Sequence, residues 1–259
     1  MEKVVQSDSV AISVSVVSHG QMHLVVHLLQ DLQTHCSGQN IELILTLNVD
    51  ENLQLERTHF SFPIQIIVNS APKGFGANHN QAFRAARGSY FCVANPDIRL
   101  NACPFTGLMA CLAGADVGVT APLVLDPSGR IEDGARRFPT PGKIMVKAFS
   151  GPQIPDYSFQ AGSQHVDWVG GMFLLFPGSV FRDMNGFDER YFLYYEDVDI
   201  CARLSLANFH IVLFSGTYVV HHAQRSSHRR LKYLVWHLCS MVRFFMSGPY
   251  QRLKRLGRL

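Results

Sequence analysis

Val10-Ala-Ile-Ser-Val-Ser-Val-Val-Ser-His-Gly20 decides the fold class. Val10 to Val17 is an uncharged, β-branched run, as expected of a strand buried on both faces, and Ser18-His19-Gly20 ends it in a polar loop. Met22 to Cys36 follows with apolar residues at 24, 25, 28, 29 and 32, a helical period. Ile41 to Leu47, Ile64 to Val68 and Phe91 to Ala94 read as three further strands, with a helix at Asn80 to Arg87 between the last two. Strands alternating with helices predict an α/β fold whose mostly parallel sheet is covered on both faces. In such sheets ligands bind beyond the carboxyl ends of the strands. Those ends carry Ser18-His19-Gly20, Asn48, Asn69-Ser70 and Asn95-Pro96-Asp97.

Composition sets bounds. A chain of 259 residues fits one large domain or two small ones, and 47% hydrophobic residues supply a substantial core. A net charge of +3 is too small for a nucleic-acid footprint, so no nucleic-acid partner is expected. Cys36, Cys92, Cys103, Cys111, Cys201 and Cys239 form no CxxC pair or metal-finger spacing and read as reduced core thiols. The N-terminus shows no basic-then-apolar leader, and no apolar run approaches the ~20 residues of a membrane span. A cytoplasmic location is expected.

Further motifs lie along the chain. Lys73-Gly74-Phe-Gly76 before a helix offers backbone amides and a charge to a phosphate, although the third glycine of a dinucleotide fingerprint is missing. The plain alternative is a structural turn with Asn78 and Asn80 as helix caps. Pro96 stops the fourth strand and aims Asp97 outward, where a carboxylate suits either a hard divalent cation or an Asx turn. Leu123 to Gln164 is rich in Gly, Pro and Ser and reads as a linker or a mobile substrate loop, its length favouring the loop. Val166 to Phe176 reads as a long buried strand interrupted by Gly170-Gly171, and Trp168 on it suits a sugar ring or the core.

Gly186-Phe-Asp-Glu-Arg-Tyr-Phe-Leu-Tyr-Tyr-Glu-Asp-Val-Asp199 sets five acids, Asp188, Glu189, Glu196, Asp197 and Asp199, among five aromatic rings. Carboxylates beside aromatics are costly to desolvate without a compensating partner, metal or substrate. The plain reading is that the acids start the next helix, Val198 to Ala207, where they suit its dipole. A strand at Phe209 to Phe214 and Val219-Val-His221-His222 come next. Beyond His228 the pattern is helical, with Leu231, Leu234, Val235, Leu238, Met241, Val242 and Phe245 on one face and Arg229, Arg230, Lys232, His237 and Arg243 opposite. Residues 229 to 259 hold eight Lys/Arg and no acid, which leaves the remainder of the chain at about −5. Such a tail fits an anionic membrane surface or, alternatively, a helix packed on its own core with a solvated basic rim.

In this order the motifs resemble those of family 2 glycosyltransferases of the GT-A fold, within them the bacterial rhamnosyltransferase-like branch. Val16-Val-Ser-His-Gly20, Asn69 to Asn80, Asn95-Pro-Asp97, Trp168-Val-Gly-Gly171, Gly186-Phe-Asp-Glu with Tyr194-Tyr-Glu-Asp-Val-Asp199, and Val220-His-His222 carry the resemblance, across about residues 10 to 225. It implies a GT-A domain over 1–225, with a nucleotide-binding half at about 10–125 and an acceptor half at about 126–225, followed by a basic amphipathic tail at 226–259. It implies an inverting, metal-dependent transfer of a sugar from a dTDP- or UDP-linked donor to a glycan or lipid-linked glycan, peripheral to the inner face of the membrane. Ser18 and His19, with Asn48, Lys73, Gly74, Gly76, Asn80 and Asn95, would line the donor. Asp97 and His221 would hold Mg2+ or Mn2+, with His222 the close second to His221. Asp197 matches the catalytic base. Trp168, Gly170 and Gly171 would support the acceptor side, Glu196 and Asp199 would support Asp197 or cap its helix, and Arg136 and Arg137 could clamp phosphate.

Two departures stand out. Leu47 occupies the place where relatives commonly carry an aspartate for the base or ribose, and Asn95 replaces the first aspartate of the metal motif. They keep open a non-catalytic sugar-nucleotide or glycan-binding module of the same fold. A nucleotidyltransferase would want a richer Gly-basic loop than Ser18-His19-Gly20.

Overall fold

In the computed structural model, which describes residues 10–52, 55–114, 116–149, 156–158, 161–223 and 231–259, β1 (Ile12–Ser18) sits near the middle of a nine-stranded sheet. It pairs in parallel with β2 (Ile41–Leu47) on one side and with β4 (Tyr90–Ala94) on the other, and β3 (Ile64–Val68) continues beyond β2. Between them α1 (Met22–His35) and α2 (Phe75–Ala85) cross over opposite faces. Ile12, Val14 and Val16 of β1 pack with α1 in one core, while Ser13 and Ser15 face the other side and anchor α2. Ser15 Oγ meets His79 Nδ1 at 2.8 Å, and Ser13 donates to Glu42, which also accepts from the Arg87 backbone and guanidinium. α2 starts five residues before the predicted Asn80, because Asn78 folds its carboxamide back onto the Lys73 and Gly74 carbonyls and so permits the earlier turn.

Beyond β4 the sheet changes sense. β10 (Phe173–Pro177) inserts antiparallel between β4 and β6 (Val117–Leu125), and β11 (His210–His221) runs parallel to β6. The sheet edge is completed by β5 (Ile98–Arg99) and β8 (Ser163–Val166), both antiparallel to β11. α3 (Phe105–Leu112) covers one face, and α5 (Gly178–Asp183) and α6 (Glu196–Leu206) the other. The single long strand predicted over Val166 to Phe176 is in fact two. β9 (Trp168–Val169) pairs with β7 (Ala135–Arg136) in a separate ribbon, and the chain changes sheets at Gly170-Gly171. The Leu123 to Gln164 stretch, expected to lack regular structure, carries the end of β6, β7, α4 (Pro141–Phe149) and the start of β8. β11 likewise joins the two short strands predicted at 209–214 and 219–222, across an irregularity between Phe214 and Tyr218.

The C-terminal segment forms α7 (Leu231–Met246) and α8 (Gly248–Arg255), while Arg229 and Arg230 lie outside the described residues. Most of the predicted apolar stripe on α7 is turned outward: Leu231, Leu234, Val235, Leu238 and Val242 are exposed, Leu231 by 76%, whereas Met241 and Phe245 pack against the core. Further contacts come from residues outside the stripe. Ser240 Oγ donates to the Leu193 carbonyl at 2.9 Å, Phe244 is buried against Tyr195 and Tyr250, and Trp236 lies 4.7 Å from Phe192. His237, expected on the solvated side, is exposed and also lies beside the rings of Tyr194 and Tyr195.

Burial drives His79 to a pKa of about 3, so it is neutral in the folded protein. Because the unfolded chain takes up this proton below about pH 6.5, stability falls as pH drops through that value, by about 2 kcal/mol at pH 5. Urea unfolding at pH 7.5 and 5.0 is expected to show that much less pH dependence in His79→Gln than in the wild type; equal pH dependence in both would refute it.

Candidate active site

The pairing of β5 with the end of β11 builds one half of the site. Val220 lies opposite Arg99 and His221 opposite Ile98, and the His222 N–H donates to the Asp97 carbonyl at 2.9 Å. This register sets His221 Nε2 3.4 Å from Asp97 Oδ2, while Nδ1, across the ring, meets Glu132 Oε2 at 2.8 Å. Burial pulls the imidazole pKa down, but the hydrogen bonds and charges of Asp97 and Glu132 outweigh it and hold His221 up to about 8. The Asp97 side chain is buried and its Oδ1 has no hydrogen-bond partner. A buried carboxylate oxygen left unpartnered beside an imidazole nitrogen fits a divalent cation. Among the described residues no cluster of three or more His, Cys, Asp or Glu forms a cage made of protein alone. Of the two predicted histidines it is His221 that meets Asp97, whereas His222 contributes its backbone and an exposed side chain. A cavity of about 460 Å3 opens beside them, lined by Leu24, Asp126, Ser128, Glu132, His221 and His222.

Insertion of β10 brings up the other half. The Asn95 N–H donates to the Met172 carbonyl at 2.9 Å, which ties the Asp97 loop to the chain just after the glycine pair. The Gly171 N–H donates in turn to Asp197 Oδ2 at 3.0 Å, and the Val198 N–H to Asp197 Oδ1 at 2.8 Å. α6 begins at Glu196, two residues before the predicted start, so Asp197 lies in the first helical turn, where the dipole favours an anion. Desolvation is nonetheless the largest influence on Asp197 and raises its pKa, with the Gly171 and Val198 amides and the Arg136 charge offsetting part of the rise. Glu196 is buried, with Oε2 unpartnered; burial and the neighbouring Asp197 push its pKa well above the usual carboxylate range.

Asp199, about 200° further round the helix from Asp197, has a different task. It accepts from Arg203 Nε at 2.7 Å, and the same guanidinium donates to the Met184 and Gly186 carbonyls. Asp199 therefore locks the Gly186 turn onto α6. The segment entering α6 is strained: Tyr194 and Tyr195 adopt φ of 70° and 68°, at a cost of roughly 1–3 kcal/mol each. α7 holds them in place through Ser240, His237 and Phe244.

Several residues expected at the donor are occupied elsewhere. Asn48 accepts from the Lys73 N–H and from Asn69 and donates to the Lys73 carbonyl, so it pins the 69–73 loop rather than presenting a free carboxamide. Asn80 pairs in both directions with the Phe187 backbone, at 2.8 and 2.9 Å, and also donates to Glu189. Gly74 and Gly76 do not form an open phosphate cradle. A Cβ on either would stand 2.6 Å from Phe192 O or from Phe187 Cβ, so their small size serves the packing of the 187–192 turn. Lys73 is exposed and its ammonium donates to Gln81, while Asn95 supplies the backbone link to Met172. Ser18 donates to Glu51 at 2.9 Å and accepts from the Gln21 N–H, and His19 remains exposed with Nδ1 3.3 Å from Asn48 Nδ2.

On the acceptor side, Trp168 Nε1 donates to the Arg137 carbonyl and its ring lies 5.8 Å from the Arg136 guanidinium. Arg137 itself lines a separate cavity with Lys143, Tyr157, His210 and Arg258. Of the two arginines expected to clamp phosphate, it is Arg136 whose charge acts on Asp197. Motif reading missed Glu51 and Glu132. Both stand in loops, with no pattern other than their charge to single them out.

The sheet order, with helices on both faces, is that of the GT-A fold of glycosyltransferases. The chain belongs to the rhamnosyltransferase-like branch of the family 2 glycosyltransferases and is an enzyme. It is 30% identical over 244 residues to rhamnosyltransferase WbbL of Escherichia coli K12, covering 88% of this chain and 90% of that one. It is 33% identical over 147 residues to the N-acetylglucosaminyl-diphospho-decaprenol L-rhamnosyltransferase of Mycobacterium tuberculosis; that match spans 53% of this chain and 48% of the relative. Among solved structures it is similar to GalNAc-T7 with UDP, GalNAc and Mn2+ (TM-score 0.63, 13% identity, 93% of this chain and 48% of that one). It also resembles the mannosyltransferase PcManGT of Pyrobaculum calidifontis with GDP-Man and Mn2+ (TM-score 0.63, 14% identity, 92% and 66%). No protein-family model matches the chain.

Removing Arg203 leaves the buried Asp199 uncompensated. Arg203→Met is expected to cost about 3–5 kcal/mol in urea unfolding, and the pair Arg203→Met with Asp199→Leu to recover most of it; a loss under about 1 kcal/mol in the single variant would contradict the assigned role.

Proposed function

We propose that the enzyme moves a sugar, rhamnose by the likeness of its relatives, from a dTDP- or UDP-linked donor to a hydroxyl of a lipid-linked glycan with inversion at the anomeric carbon. The observation that carries this reading is the Asp97–His221 pair joined to Asp197 through Asn95, Met172 and Gly171. Asp97 and His221 would hold Mg2+ or Mn2+ against the donor diphosphate, and the ion when bound supplies a Lewis acid for the charge on the leaving group. Asp197 accepts the proton of the acceptor hydroxyl as its oxygen forms the new bond to the anomeric carbon. The bond from that carbon to the diphosphate breaks on the opposite face. A pKa raised by burial suits this base, since a stronger base takes the proton more readily, and Gly171 and Val198 orient its carboxylate. Residues of about 10–125 form the donor half in this reading and those of about 126–225 the acceptor half.

Turnover by Asp197→Asn is expected to fall at least about 1,000-fold with donor affinity within a few-fold of wild type, because only the proton acceptor is lost. Steady-state kinetics and calorimetry with dTDP-rhamnose and Mn2+ measure both quantities. Undiminished turnover would remove the base assignment.

The acceptor reading rests on α7. A helix that packs by Ser240 and Phe244 and leaves Leu231, Leu234, Leu238 and Val242 exposed, with Lys232, Arg243, Arg252, Lys254 and Arg255 exposed nearby, matches the chemistry of an anionic membrane surface. Basic residues near such a surface contribute roughly 1 kcal/mol each. In this reading the enzyme works peripherally on the cytoplasmic face, where a lipid-linked acceptor is presented. Co-sedimentation is expected to show binding to vesicles containing phosphatidylglycerol, little binding to phosphatidylcholine alone, and loss of binding in Leu234→Asp/Val242→Asp with an unchanged Tm. Binding retained by that variant, or a dimer that it disrupts in place of vesicle binding, would overturn the membrane assignment.

A further inference from the structure

Glu132 has no place in the motifs, yet it makes the shortest contact to the candidate metal pair. It stands in the 126–134 loop after β6, where its own N–H donates to the Val124 carbonyl and its carbonyl accepts from the Gly134 N–H, each at 2.8 Å. The loop is further closed by a bridge between Leu125 and Ile131 and by Asp126, which accepts from the Ser128 and Arg130 amides. From this backbone the carboxylate reaches across to β11 and meets His221 Nδ1 at 2.8 Å. Asp97 faces the other ring nitrogen, Nε2, at 3.4 Å.

The two nitrogens of one imidazole point to opposite sides, so a carboxylate bound to Nδ1 does not share the position that Nε2 faces. By accepting a hydrogen bond from Nδ1–H it occupies that nitrogen, leaves Nε2 as the one that a cation can take in place of a proton, and stops the ring from turning. Resting on the metal reading above, we infer that Glu132 is the positioning residue of the cation site: it presents His221 Nε2 toward Asp97, and through it the 126–134 loop becomes part of metal binding. Glu132 acts only through His221. Its side chain is about three-quarters buried, with a relative exposure of 26%, and is held by a rigid turn, so the constraint on the ring is built before any cation arrives.

Mn2+ affinity is the direct test, read as free Mn2+ by electron paramagnetic resonance, without and with dTDP, on the full chain. Glu132→Ala is expected to weaken Mn2+ binding about 10–100-fold, and Glu132→Gln, whose amide oxygen can still accept from Nδ1–H, to retain most of the affinity. In a His221→Ala background, Glu132→Ala is expected to cause no further loss, because the two residues act as one unit. Equal affinity in Glu132→Ala and wild type, or a full additional loss in the double variant as a direct ligand would give, overturns the inference. Asp97→Asn separates this from the reading beneath it. If Asp97→Asn loses Mn2+ and Glu132→Ala does not, the positioning role alone fails; if Asp97→Asn keeps full affinity, the cation site fails with it.

Discussion

The arrangement of the site depends on one constraint, the antiparallel insertion of β10 between β4 and β6. With Phe173 paired to Ala94, the residues just before β10 are forced over the carboxyl end of β4, where the Asn95 N–H finds the Met172 carbonyl. That single register brings the loop of Asp97 and the glycine pair together, and the glycine pair delivers a backbone amide to Asp197. In a wholly parallel sheet the next strand would start at the opposite edge, and the two carboxylates would have no common side.

Burial makes demands on the three acids of α6, and each is answered differently. Asp199 is paired with Arg203 and becomes a clamp on the Gly186 turn. Glu196 is buried with an unpartnered oxygen, so desolvation favours its neutral form. Asp197, partly exposed and fed by two amides, can carry charge while its pKa is still raised. A helix start gives all three the same favourable dipole, and so the dipole cannot distinguish them; the tertiary partners do.

The strained pair Tyr194–Tyr195 links this chemistry to the C-terminal helix. Leu193 accepts from Ser240, the Phe192 ring lies tilted against Trp236, and the Phe192 carbonyl accepts from the Phe75 N–H at the start of α2. The 192–195 segment thus lies between the loop expected at the donor and α7. α7 is thereby joined to the Asp197 helix by a short path of packed side chains and backbone hydrogen bonds.

Much of the N-terminal half was legible from local pattern alone. β1, α1, β2, β3 and β4 follow from apolar runs and 3.6-residue periods, because hydrophobic burial imposes those periods on any covered parallel sheet. Asp97, the acidic cluster of 188–199 and the His221-His222 pair stood out because charged or titratable groups at strand and helix ends are costly without a purpose, but Asp197 and His221 were chosen within them only by the resemblance to the family. The roles of Asn48, Asn80, Gly74 and Gly76 could not be read this way. Polar and small residues at strand ends serve a ligand or a neighbouring backbone equally well, and only the placement of Lys73 and of the 187–192 turn chose the backbone. The outward face of α7 was undecided for a related reason, since an amphipathic period states that one face is apolar but not which side the domain occupies. The sequence by itself determined a parallel α/β sheet with acids and a histidine at its working edge. Tertiary structure decided which of them meet, because hydrogen-bond register between strands far apart in the chain, β4 with β10 and β5 with β11, is set by the packing of the whole sheet.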